Sequence, residues 1–461
     1  MSDEPTEAGP AAAEPVSLRE ATRVWAKIGL LSFGGPAGQV ALMHSELVER
    51  RKWIDEERFL HALNYCMLLP GPEATQLATY IGWLMHKTRG GLIAGLLFVL
   101  PGFVSILALS MLYASFGDVP AIASMFFGLK AAVFAVVLEA VIRIGKRALK
   151  HRWMYGVAAS AFVAIFFFDA PFPAVVLGAG MLGLVIRRVV PDAFPAPADP
   201  TITADHATVV DRLAAEGRLE HTKPNRARAV RVFVVWTVLW FAPLAIVAAT
   251  LGRESVYVQE GIFFAKASVV TIGGAYSVLA YIAQRAVESY GWLRPGEMID
   301  GLGLAETTPG PLIMVVQFVG YLGAFRDAGT LPPVLAGVLG SIMTVWVTFV
   351  PCFLWIFLGA PYVESLRGHR GLNAALSTIT AAIVGVVVNL SVWFGLHVMF
   401  HTVHESHAGP LRLLVPVLSS VDVAAVGLSA LAIVAMFRWK IELPKVLAAS
   451  ALLGFTIRFF G

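Results

Sequence analysis

The sequence predicts an all-α, polytopic membrane protein of about thirteen transmembrane helices, arranged as two homologous halves in an inverted repeat. Three observations predict it: a lipid-adapted composition, apolar runs long enough to span a bilayer, and an internal repeat with a Pro-Gly-Pro break in each copy. Of the 461 residues, 57% are hydrophobic and 14% charged, and the mean hydropathy is +0.73. Soluble chains carry about 25% charged residues, so this surface would expose large apolar patches to water. Lipid removes that problem. The net charge of +4 and pI near 9.0 come from short Lys and Arg clusters between apolar runs, as orientation signals do; no nucleic-acid partner is expected. Cys66 and Cys352 sit inside apolar runs, which speaks against a disulfide framework or a cysteine metal cluster.

Residues 1–17, rich in Ala, Pro and Glu, read as a disordered tail without the basic and apolar regions of a signal peptide. Apolar runs then follow at 21–46, 59–86, 90–116, 120–147, 152–169 and 171–188, forming a first half over 18–188. The stretch 189–228, with Pro191, Pro195, Pro197 and Pro200 near its start and both charge signs, reads as a polar cytoplasmic linker. A second half, 229–461, resumes with runs at 229–251, 257–285, 297–324, 332–358, 372–400, 413–437 and 443–460. Basic clusters at Lys87 and Arg89, Arg143–Arg152, Arg187 and Arg188, Arg367 and Arg370, and Arg438–Lys445 are expected inside by the positive-inside rule. Asp118, Asp169 and His401–His407 fall outside, and the N-terminus is cytoplasmic. These charges favour a single broken crossing helix in 59–86 and in 297–324 over a re-entrant hairpin.

Residues 26–72 align with 265–311 at a constant offset of 239, with 12 of 47 positions identical. Lys27 meets Lys266, Gly34-Gly35 meets Gly273-Gly274, Trp53 meets Trp292, and Pro70-Gly71-Pro72 meets Pro309-Gly310-Pro311. Further on, an offset of 250 matches Pro101 to Pro351 and Ala131-Ala132 to Ala381-Ala382. Apolar bias does not align Trp, Lys and a Pro-Gly-Pro triplet together. An odd number of spans separates the copies, so they should have opposite orientation, as in transporters that bind substrate at broken helices near the midplane.

The candidate substrate site is built on those breaks. Proline lacks an N–H and Gly between two prolines cannot sustain a helix, so each triplet should end one half-helix and start another near Pro72 and Pro311. The new N-terminus carries the positive end of a helix dipole; a buried kink is the bland alternative. Gly34, Gly35, Gly273 and Gly274 suit either close helix packing or unwinding beside a ligand. Lys27 and Lys266 lie before the glycine pairs; they either face a cavity or snorkel to headgroups. Glu73 complements the dipole or, like Glu306, carries a proton, since burial disfavours the ionised form. Thr75, Gln76, Thr307, Thr308 and Gln317 supply neutral hydrogen bonds. Asn64, Lys130 and Glu139 are further polar residues within spans. His397, His401, His404 and His407 lie at a span end and external loop and read as solvated rather than as a metal site. With no Walker or H-E-x-x-H motif, neither an ATP-driven pump nor a zinc protease is indicated. No cofactor and no catalytic residues are expected.

The Phe33-Gly34-Gly35-Pro36 segment, Pro70-Gly71-Pro72 with Glu73 and Gln76, and their second-half counterparts resemble the chromate ion transporter family, in its long two-domain class. The resemblance covers about 20–145 and 257–395. It implies export of chromate from the cytoplasm, giving resistance, with sulfate as an analogue and competitor. The expected location is the plasma membrane and the expected assembly a homodimer; the alternative is a transporter of sulfate or another oxyanion, or an anion channel. Ala275 replaces Pro36 and Leu312 replaces Glu73 in the second copy, so the copies differ in what they offer a substrate.

Overall fold

In a computed structural model the chain is described over residues 16–33, 35–117, 119–189, 208–272, 275–294, 296–362, 370–409 and 411–459. Residues 1–15 of the tail, residues 190–207 of the linker and Gly34, Gly273 and Gly274 lie outside the described residues. Helices dominate. Among the described residues five are long and apolar enough to cross a membrane: Glu73–Phe116, Pro120–Lys146, Arg226–Leu251, Pro333–Tyr362 and Ser377–Met399. Shorter apolar helices lie at Arg152–Phe168, Leu312–Arg326 and Val423–Phe437. Leu96, Leu100 and Val104, and on another helix Val230, Phe233 and Val234, are exposed. Outward apolar side chains of this kind suit a lipid-facing surface.

Four of the expected spans are instead pairs of short helices folded back on themselves. Helix α1 (Leu18–Leu31) is capped by Ser17, whose hydroxyl accepts from the Glu20 N–H. After a break at Ser32, α2 (Gly35–His44) continues through a π-helical turn, Ser45–Arg50. It returns along α1, so that Lys27 meets Glu46 at 2.7 Å and Arg51 meets Glu20 at 3.7 Å. Helix α3 (Glu56–Leu68), capped by Asp55, runs to the first Pro-Gly-Pro. Helix α4 (Glu73–Phe116) then runs back, with Tyr65 and Tyr80 rings 6.1 Å apart and Arg58 lining one cavity with Trp83 and Leu84. At His86–Lys87 α4 reverses a second time, Lys87 taking a φ of +55°. Its long arm, 88–116, packs on 73–85 through Gly82 against Gly90 and Ala94, and Thr79 against Gly95. Small residues allow two backbones this proximity.

Helices α5 (Pro120–Ala148), α6 (Arg152–Phe168) and α7 (Phe172–Val189) complete the first half. The end of the linker docks back as α8 (Val209–Ala215). The Val210 N–H donates to the Trp53 carbonyl, and Arg58 pairs with Asp211 at 3.0 Å. His221 sets its ring edge on Trp83, and burial holds its imidazole below the usual histidine range.

After α9 (Arg226–Leu251) the same plan recurs. Helices α10 (Val256–Val270) and α11 (Ala275–Gln284) form one hairpin, with Phe263 packing on Tyr281 and Tyr290. Helices α12 (Glu297–Thr307) and α13 (Val315–Arg326) form the other, clamped at the open end by Glu297 and Arg326 at 2.6 Å. Helix α14 (Pro333–Gly359) packs on α13 through Gly320 against Gly340 and Thr344. The chain closes with α15 (Arg370–Met399), a two-stranded antiparallel ribbon of β1 (Val403–Ala408) and β2 (Leu411–Pro416), α16 (Val423–Phe437) and α17 (Leu443–Phe459). Among the described residues the fold is all-helical apart from this ribbon, which begins the run expected at 413–437 as a strand. It holds His404 and His407 on its exposed strand, while His401 reaches Asp422 at 3.4 Å. Helix α5 packs on α16 and α17 as α15 packs on α6 and α7, and α5 and α15 pack on each other.

The four hairpins open on two faces. Arg58, Trp83 and Ala360 share a cavity at the linker-covered mouth of the α3–α4 hairpin. The mouth of the α12–α13 hairpin lies by the far end of α4, where the Tyr113 hydroxyl donates to Asp300 at 2.8 Å.

Candidate functional site

The two Pro-Gly-Pro triplets form hairpin tips that meet the opposite half. The Gly71 N–H donates to the Thr271 carbonyl at 2.7 Å, and the Gly310 N–H donates to the Ser32 carbonyl at 2.9 Å. Gly71 and Gly310 are repeat equivalents, as are Ser32 and Thr271, so one bond is the image of the other. Each tip caps the carbonyl end of the repeat-equivalent helix in the other half, α10 or α1, where helices leave carbonyls unpaired. Glycine is needed at both tips because φ is +116° at Gly71 and +103° at Gly310.

The tips also rest on equivalent positions. A Cβ on Gly71 would lie 3.2 Å from the Cys352 sulfur, and one on Gly310 would lie 2.9 Å from the Gly102 Cα. Gly102 and Cys352 correspond at the 250 offset, each directly after the aligned prolines. Gln39 adds a third tie, donating its amide to the Gly310 carbonyl at 2.6 Å.

Pro72 caps α4, and Glu73 opens its first turn. The first intrahelical bond is from Gln76 N–H to the Pro72 carbonyl, so the N–H groups of residues 73–75 precede it, with no carbonyl of their own helix to reach. Gln76 donates to the Pro70 carbonyl at 2.7 Å, and Gln317 donates to the Phe103 carbonyl at 3.0 Å. Thr75, Gln76 and Gln317 are fully buried, yet among the described residues Thr75 Oγ1, Gln76 Oε1 and Gln317 Oε1 have no partner. Buried polar atoms without partners mark places where a ligand or ordered water belongs. Pro311 precedes a short 3-10 turn, Leu312–Met314, before α13 begins. The second tip therefore starts its return helix later than the first, and with apolar side chains.

Other expected site residues stand apart. Lys27 is 45% exposed and pairs with the buried Glu46, which Arg50 also holds at 2.7 Å. Lys266 is exposed on α10 and has no ion pair with a described residue. Gly35 is buried at the start of α2 with a φ of +70°. Thr307 and Thr308 donate to the Leu304 and Ala305 carbonyls of their own helix. The buried Glu306 lines a cavity of about 290 Å³ with Glu139, Arg143 and Lys440. Lys130 pairs with Asp300 at 3.2 Å, and Glu139 lies 3.8 Å from Arg143, so those two residues do not pair with each other. The side chain of Asn64 lies outside the described residues.

Ser32, Gln39, Gly102, Thr271 and Cys352 belong to this centre and escape a reading of motifs. The only sequence signal for Gly102 and Cys352 is their position after the matched prolines. Ser32 and Thr271 act through main-chain carbonyls, which residue type does not report.

The chain matches the Chromate transporter family over residues 19–184 and 258–455. It is 33% identical over 392 residues to a chromate transport protein of Pseudomonas aeruginosa, covering 84% of this chain and 82% of that one. A chromate transport protein of Cupriavidus metallidurans is 28% identical over 381 residues, covering 80% and 81%. An uncharacterized transporter of Bacillus subtilis, YwrB, matches at 34% over 143 residues, 30% of this chain and 71% of its own. No solved structure matches the chain.

Proposed function

The chain belongs to the chromate transporter family, and from that premise we propose that it exports chromate from the cytoplasm across the plasma membrane by alternating access, giving chromate resistance. The observation that carries this reading is the crossed pair of tip bonds, Gly71 to Thr271 and Gly310 to Ser32. Two equivalent bonds, each joining one half's tip to the opposite half, suit a centre that opens alternately to either face. Chromate, a tetrahedral oxygen dianion, would be bound by the first-turn N–H groups of α4, the Thr75 hydroxyl and the second Nε2 N–H of Gln76 and Gln317, whose Oε1 atoms would take water. A helix N-terminus suits an anion, and no metal is called for.

The halves form an inverted repeat in this proposal. The first-half hairpins open toward the face of the Arg143–Arg152 and Arg438–Lys445 clusters, and the second-half hairpins toward Asp169 and the ribbon. The positive-inside rule makes the first face cytoplasmic, together with the N-terminus. The four hairpins are re-entrant, and the remaining apolar helices cross. Lys27 and Lys266 then act through the local field rather than by contact, and Glu73 and Glu306 border the path.

Membrane potential drives such export, at about 2.3 kcal/mol per charge for 100 mV. Everted vesicles should take up radiolabelled chromate faster with an inside-positive potential, and sulfate should compete. Absence of uptake, or uptake only in right-side-out vesicles, would overturn the exporter reading.

The cavity under Arg143 and Lys440 provides the cytoplasmic approach. Arg143 and Lys440 offset the carboxylates of Glu139 and Glu306 in that cavity, which would otherwise repel an incoming dianion and slow its encounter. Arg143→Gln combined with Lys440→Gln is expected to raise the KM for chromate about tenfold with little change in maximal rate. The difference should shrink in high salt, because screening removes a field but not a contact.

A further inference from the structure

Glu260 is fully buried in the second turn of α10, and among the described residues neither carboxylate oxygen has a hydrogen-bond partner. The Ala324 N–H approaches it without closing a bond. The pocket is shaped to the carboxyl group by glycines from two neighbouring helices. A Cβ on Gly323 of α13 would lie 2.6 Å from Oε1, and one on Gly340 of α14 would lie 3.0 Å from Oε2. Thr344 Oγ1, one turn beyond Gly340, and Tyr257 OH, one turn before Glu260, are also buried without partners.

Among the described residues no cation is offered to this carboxylate. Arg326 on α13 is held by Glu297 and by the Trp292 carbonyl. Asp327, just beyond it, is a like charge. The other titratable groups around it are Tyr257 on α10, Tyr321 on α13 and, from α11, Tyr281, which packs on Phe263. Helix α9 carries none after Arg231, and α14 carries only Cys352, at the tip of the first-half hairpin. An ionised carboxylate without donors or a counter-ion is not tolerated in a dry interior, so in this conformation the group is a neutral acid.

We propose that Glu260 carries the proton that couples chromate export to the pH gradient, an inference that rests on the exporter reading. The step is simple protonation: the carboxylate takes one proton from water at the open end of the second-half hairpins and releases it when water returns. Two of the pocket walls belong to α13 and α14, and α13 is the return arm of the hairpin tipped by Gly310. A movement of that tip which loosens α13 from α10 admits water to Glu260. Proton release is thereby tied to the same motion that opens the centre. Protonation from the outer face, where this hairpin opens, sends protons inward as chromate leaves.

Glu260→Gln preserves shape and neutrality but holds no exchangeable acid proton. In proteoliposomes this variant is expected to lose both the pH-gradient stimulation of chromate flux and chromate-dependent proton movement. It should keep chromate counterflow at equal pH within about twofold of wild type. Retained gradient-driven flux would overturn the proposal, as would loss of counterflow, because a neutral mimic of the acid must still exchange substrate. A substrate-free check is the infrared carbonyl band of a protonated carboxylic acid at neutral pH, present in wild type and missing in Glu260→Gln. If the two spectra agree there, Glu260 holds no proton and the proposal fails. A wild-type protein that moves no chromate sinks the exporter reading and the coupling role with it, while the infrared band still reports the proton on Glu260.

Discussion

Gly310→Ala is expected to abolish chromate export and to lower the thermal stability of the purified protein. At a φ of +103° an alanine is strained by about 1–3 kcal/mol. Its methyl group would also lie 2.9 Å from the Cα of Gly102, a backbone atom that no rotamer change can move aside. Relief requires the tip to lift from α4, which breaks the Gly310–Ser32 bond and displaces the Gln39 contact. Flux in everted vesicles should fall by at least about tenfold, and unfolding followed by tryptophan fluorescence should shift to lower temperature. Gly71→Ala is the internal comparison. There the new methyl group meets the Gln76 amide at 3.0 Å and the Cys352 sulfur at 3.2 Å, both side-chain atoms with room to adjust. It should lose less stability than Gly310→Ala, though its φ of +116° keeps it impaired. Normal export by Gly310→Ala would show that the tips do not form the transport centre.

The second large effect is expected at the mouth of the same hairpin. Arg326 holds Glu297 with two bonds of 2.6 and 2.7 Å and also donates to the Trp292 carbonyl at 2.8 Å. Only 9% of the Glu297 side chain is exposed. Arg326→Ala leaves that carboxylate with the Arg294 backbone N–H as its remaining donor, a loss of about 3 kcal/mol or more for a pair broken on one side. The α12–α13 hairpin should splay at its open end, and the protein should unfold at lower temperature and accumulate poorly. Glu297→Gln with Arg326→Met should recover most of the loss, since no charge is then left unpaired. Thermal unfolding of the two singles and the double decides it. A double variant as unstable as Arg326→Ala would mean that the hairpin depends on the arginine's shape rather than on its charge.

Much of the architecture is legible in the sequence because burial in lipid demands long apolar runs, and the repeat exposes its own register. The Pro-Gly-Pro breaks follow directly from proline's missing donor. The hairpins are harder to read. Two arms and a tip, as in 59–86, have the length of one generous span, so hydropathy cannot separate a crossing from a return. Loop charges do not separate them either. The runs 21–46 and 59–86 bring the chain back to the same face whether both cross or both turn back, so the basic clusters agree with either path. Lys27 illustrates the limit at the level of a site. Its partner Glu46 lies nineteen residues away, on a return helix that the reading as one span does not contain. Glu260 hides for a related reason. In sequence it is one acid in an apolar run, and its isolation shows only when Gly323 and Gly340 close over it. The ribbon at 403–416 is short and rich in histidine, with neither the length of a span nor a clean alternation.

The two equivalent bonds that join the tips to the opposite half are made by peptide groups alone. A joint of that kind is indifferent to side-chain chemistry, so each copy can diverge in what it presents as long as it conserves its path through space. Divergence of this sort is visible where Glu73 and Gln76 in one copy face Leu312 and Val315 in the other. One arm can thus specialise in gripping the cargo while its twin acts as a smooth bearing surface.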